Sequence, residues 1–126
     1  MQVSIPIRWL IAIAFMILVT ILSVTPGRSQ ADDSIFVWLV VNTPTLVQKF
    51  MHIGVYALLA FLLVWTLDDV GSRSLRLALA FTLTVSFGAT LEWYQTLVPG
   101  RFGTLFDALL NTGGALLGLL ATLLVL

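Results

Sequence analysis

The sequence predicts an all-α integral membrane protein: four transmembrane helices with a short interfacial segment between the first and the second. Two observations predict it. Of the 126 residues, 60% are hydrophobic and only 10% are charged, where a soluble domain carries roughly a quarter charged residues. A soluble bundle needs a polar outer face on every helix, and this chain has too few charges to supply them. The second observation is that the apolar residues gather into four runs, each near the length of about 20 residues that crosses the hydrocarbon core.

The first run spans about Ile7 to Val24. It shares features with a signal peptide, since Arg8 precedes the apolar stretch and Ser29-Gln30-Ala31 resembles a small-x-small cleavage site. Its apolar stretch is long for a signal sequence, and we read it as a span. After Pro26-Gly27 comes Ser34-Ile35-Phe36-Val37-Trp38-Leu39-Val40-Val41, apolar but far too short to cross. This segment is expected at the interface, with Trp38 among the headgroups, until Asn42-Thr43-Pro44 breaks it. The second span runs from about Leu46 to Leu67, the third from about Leu75 to Leu97, and the fourth from about Leu105 to Leu126. One domain covering residues 1–126 is the expected organisation.

Zero formal net charge and the lack of a basic run argue against a nucleic-acid partner. With no cysteine and one histidine, no metal site and no cofactor are expected. His52 has no second histidine at the spacing haem or metal ligation uses, and no glycine-rich nucleotide loop follows a strand. With the N-terminus inside, Arg8, Arg73 and Arg76 are cytoplasmic, while Arg28, Lys49 and Arg101 are outside, so the positive-inside count ties. Lys49 and Arg101 lie among other polar residues and are read as serving a site. Discounting them puts both termini in the cytoplasm. Trp9 and Trp65 then mark one interface, Trp38 and Trp93 the other.

Alternating spans bring the start of the second, the end of the third and the start of the fourth to one membrane face, where the unusual polar residues occur. Lys49, His52 and Tyr56 share a helical stripe, as do Glu92 and Gln95, and as do Asp107, Asn111, Gly114 and Gly118. Ionisable groups near hydrocarbon cost a few kcal/mol unless paired, so they face protein. Lys49 and Arg101 are expected to neutralise Glu92 and Asp107. The candidate ligand-binding residues are therefore Lys49, His52, Glu92, Gln95, Arg101, Asp107 and Asn111. The bland alternatives stay open beside this: snorkelling of Lys49 to headgroups, plain helix packing at Gly114 and Gly118, and an ion-pair network that only fixes helix register.

The pattern Lys49-x-x-His52-x-x-x-Tyr56, Glu92-x-x-Gln95-x-x-x-Pro99-Gly100-Arg101 and Asp107-x-x-x-Asn111-x-x-Gly114-x-x-x-Gly118 resembles the VanZ-like family. Ser23 to Pro26 resembles the family's pattern at the end of the first helix. The likeness covers nearly the whole chain. It departs at Gly103-Thr104, where the family often has serine. The family takes its name from a membrane protein associated with low-level teicoplanin resistance. The resemblance implies a multi-pass protein of the bacterial cytoplasmic membrane, with membrane lipids as surroundings, and carries no settled biochemical activity.

Two functions compete. One is binding of a lipid-linked or lipidated envelope molecule by the polar cluster, with a role in glycopeptide tolerance. The other is a structural or assembly subunit of a larger membrane protein complex, with the cluster as an internal brace and aliphatics such as Leu58, Leu62 and Leu79 as the partner surface. Catalysis by Glu92 or His52 is the poorer fit, because neither a nucleophile elbow nor a metal motif accompanies them.

Overall fold

In the computed structural model, residues 2–25, 35, 38, 45–98 and 103–126 are described. These form four long helices, α1 (Ile5–Val24), α2 (Thr45–Thr66), α3 (Arg73–Gln95) and α4 (Leu105–Val125). All four are long and apolar enough to cross a membrane, and the described residues contain no strand. The bounds differ from the expected ones by a residue or two because the caps, and not the hydropathy, set them. Ser72 caps α3 by accepting the Leu75 N–H at 3.2 Å, so Arg73 is already helical. Thr104 caps α4 by accepting the Asp107 N–H at 3.0 Å. Between α1 and α2, Ile35 and Trp38 have helical backbone and are exposed, and the rest of that segment lies outside the described residues.

The helices alternate in direction, and contacts at both ends fix this. At one end Arg8 of α1 donates to the Trp65 carbonyl at 3.0 Å and to Asp68 at 3.3 Å, while Arg76 of α3 donates to the other oxygen of Asp68 at 3.0 Å. At the opposite end Gln95 of α3 donates to the Ser23 carbonyl of α1 at 3.1 Å. Helices α2 and α4, two steps apart in this alternation, run parallel and make the most extensive contact in the bundle. Glycine permits it: a Cβ at Gly114 would collide with the Ile53 carbonyl, and one at Gly118 with the Ala57 carbonyl. Small residues let backbones approach where lipid offers no hydrophobic drive to associate.

The core follows the inward stripe of α2, where Tyr56, Leu59, Leu63 and Leu67 are buried against Ala12 of α1 and Ala80 of α3. Leu79, expected to face lipid, packs instead against this core, as its neighbour on the Ala80 side of α3, while Leu58 is exposed as expected. Buried hydroxyls bond within their own helices, as with Thr66 to the Leu62 carbonyl at 2.6 Å and Thr84 to the Ala80 carbonyl at 2.7 Å. In a lipid environment that internal satisfaction is what a polar side chain requires. Helix α1 is peripheral: only Ala12 and Val19 are buried along it, and it packs on α2 and α3.

Candidate functional site

The stripes of α2 and α4 meet as a ladder. Lys49 faces Asp107, His52 faces Asn111, Ile53 faces Gly114 and Ala57 faces Gly118. The two lower rungs are backbone packing. The two upper rungs, nearer the helix starts, are polar. Lys49 Nζ lies 3.4 Å from Asp107 Oδ1 and 4.9 Å from the centre of the Phe106 ring. Its side chain is 39% exposed and that of Asp107 15%. An ammonium has three donors, so this ion pair leaves Lys49 able to meet a further acceptor from the lipid side.

One turn deeper, His52 Nδ1 and Asn111 Oδ1 are 2.6 Å apart. With Asn111 Oδ1 accepting, His52 carries its proton on Nδ1 and keeps a lone pair on Nε2. Asn111 is 1% exposed, and its Nδ2 has no hydrogen-bond partner. That atom faces α3 at Gly88, where a Cβ would stand 3.2 Å from it. The His52 ring lies nearly parallel to Tyr56, with centroids 6.4 Å apart, and Tyr56 in turn meets Phe87 of α3.

Helix α3 contributes Glu92, 5% exposed. Its carboxylate accepts the Thr104 N–H at 3.3 Å, so it holds the start of α4 across the turn. Among the described residues Glu92 meets this backbone donor, and its expected pairing with Arg101 lies outside them. His52, Glu92 and Asp107, from three helices, each present a potential metal-ligating atom, and the three atoms lie within 4.8 Å of one another. The histidine-spacing argument has no view of such a set, because its members come from different helices.

Five of the seven candidate residues, Lys49, His52, Glu92, Asp107 and Asn111, therefore gather at one end of the bundle. Gln95 is buried and turned toward α1, where it bonds the Ser23 carbonyl. Arg101, with Pro99, Gly100 and Phe102, lies outside the described residues. Two contributors were not among the candidates. Thr104 caps α4 and donates to Glu92, and its spacing to Asp107 is the signature of a helix start. Phe106 flanks Lys49 and left no readable signal, being one aromatic among many.

Beside the Lys49–Asp107 pair an apolar cleft of about 140 Å³ opens between α2 and α4, lined by Leu46, Lys49, Phe50, Ile53, Phe106 and Leu110. The family described as VanZ/LLP1 matches residues 8–126. The chain belongs to the VanZ/LLP1 family. The match takes in α1 from Arg8 onward, the other three helices and every described residue of the cluster, and this VanZ-like chain is a multi-pass membrane protein. No curated protein and no solved structure matches the chain significantly.

Proposed function

We propose that this VanZ-like protein binds an amphiphile at the membrane surface, with a hydrocarbon segment in the cleft between α2 and α4 and an anionic headgroup at Lys49. The observation that carries the reading is the position of Lys49, whose partly exposed side chain pairs with Asp107 and is the one charged residue among those lining an apolar cleft. A charge paired for structure alone has no need of such a cleft. Charge-assisted bonds from an ammonium suit phosphate or carboxylate, and His52 and Asp107 lie within reach to hydrogen-bond sugar or peptide groups. A lipid-linked or lipidated envelope molecule combines these features, and glycopeptide tolerance would follow from its capture. The setting is the bacterial cytoplasmic membrane with both termini in the cytoplasm, which puts the cluster at the outer leaflet.

The test is thermal stabilisation of the detergent-purified protein by added lipids. An anionic lipid with a phosphate headgroup is expected to raise the melting temperature more than a zwitterionic lipid of the same chain length. Lys49→Gln is expected to abolish the difference. Equal stabilisation by both lipids in the native protein would sink the idea.

A second reading has its own support. Glu92 to Thr104, Gln95 to Ser23 and His52 to Asn111 are all bonds between elements of this chain, and they favour an internal brace in a subunit of a larger membrane complex. That reading leaves the cleft at Lys49 without a role, and we rank it second.

A further inference from the structure

Two carboxylates, Glu92 and Asp107, stand at this end of the bundle against a single lysine among the described residues, Lys49, which pairs with Asp107. The other described ion pairs, Arg8 and Arg76 with Asp68, are at the far end. Charge in a membrane span is retained when it is compensated. The donor set is equally telling. An imidazole nitrogen and two carboxylate oxygens from three different helices lie within 4.8 Å, and no single-helix register would bring them together.

The second line is independent. A metal-binding histidine commonly donates its other ring N–H to a carbonyl or carboxylate, which fixes the tautomer and aims the ligating nitrogen. His52 does this through Nδ1 to Asn111 at 2.6 Å, leaving Nε2 with its lone pair. Asn111 is wholly buried at 1% exposure and keeps an unpartnered Nδ2. A buried amide with half its bonding capacity unused is costly for packing alone. Its cost is explained if its work is to hold His52 through Oδ1.

We infer that His52, Glu92 and Asp107 form a binding site for one divalent cation, with Asn111 as the positioning residue behind His52. Mixed imidazole and carboxylate ligation suits Zn²⁺, Mn²⁺ or Fe²⁺. Bonds of about 2.0–2.2 Å place two ligands of one ion roughly 3–4 Å apart, so the three side chains draw in by about 1 Å on binding. The inference goes beyond the amphiphile reading, and its readout needs no lipid, so either can fail alone.

The experiment uses the full chain in detergent, stripped with chelator, and titrated with Zn²⁺ alone. The chain has one histidine, so the imidazole ¹⁵N resonances report a single residue without any variant. The expected result is a shift of the Nε2 resonance that saturates at one equivalent, with Nδ1 still protonated. Calorimetry is expected to give the same stoichiometry, with binding lost in Glu92→Gln and His52→Gln. Asn111→Ala is expected to weaken it about 10–100-fold, and Asp68→Asn to leave it unchanged. No saturable shift in the native protein overturns the inference, as does undiminished affinity in folded His52→Gln.

Discussion

His52 Nδ1 and Asn111 Oδ1, 2.6 Å apart, join two transmembrane helices that run parallel to each other. The bond lies between the half-buried Lys49–Asp107 pair and the glycine contacts of the same helix pair, and so marks where the polar end of the bundle passes into its packed middle. Replacing Asn111 with alanine strands a ring N–H in the interior. We expect a loss of about 1–3 kcal/mol, read as a lower melting temperature in detergent. Asn111→Gln, which keeps the amide but adds a methylene against Gly88, is expected to recover part of it.

The glycines of α4 supply a controlled comparison. A methyl at Gly118 meets the Ala57 carbonyl of α2, a backbone atom that cannot retreat, whereas a methyl at Gly113 meets nothing within 4 Å. Gly118→Ala is expected to cost about 1–3 kcal/mol through overpacking. Gly113→Ala is expected to be neutral or to gain up to about 1 kcal/mol from helix propensity. Thermal unfolding of the two variants side by side checks this.

At the other end of the bundle, Asp68 bridges Arg8 and Arg76 but is 60% exposed. Exposed ion pairs contribute little. Asp68→Asn is expected to shift stability by less than about 1 kcal/mol and to leave lipid stabilisation as in the native protein. A large loss of lipid response in this variant would place the binding determinant at the wrong end.

Orientation is open to a direct check because the chain has no cysteine. With the termini in the cytoplasm, a membrane-impermeant maleimide applied to intact cells is expected to label Leu97→Cys, in the turn after α3, and to spare Ser72→Cys, at the start of α3. The reverse pattern would move the cluster to the inner leaflet.

Much of the fold was legible in the sequence because lipid imposes so strict a length and composition on a span. The four runs and the gathering of Lys49, His52, Glu92, Asp107 and Asn111 at one end both follow from hydropathy and alternation. The pairing within the cluster was not legible. Stripes on α2 and α4 say which faces meet, but their register is set by the close contact at Gly114 and Gly118, a tertiary fact. Glu92 holds the Thr104 N–H because the end of α3 and the start of α4 come together across a short turn, and its expected pairing with Arg101 lies outside the described residues. Gln95, on the same stripe as Glu92, is taken up by α1. Leu79 looked like a lipid-facing aliphatic because its neighbours from Leu77 to Phe81 are all apolar, and in such a stretch hydropathy cannot tell the inward side from the outward one.

The most direct test of the central claim is a gentle-detergent pull-down of the tagged protein from native membranes, followed by mass spectrometry of both lipids and proteins. The expected result is a stoichiometric anionic amphiphile with no stoichiometric protein partner, and loss of that amphiphile in Lys49→Gln but not in Asp68→Asn. A stoichiometric protein partner, with lipid content indifferent to Lys49→Gln, would contradict it and make the cluster a brace within an assembly.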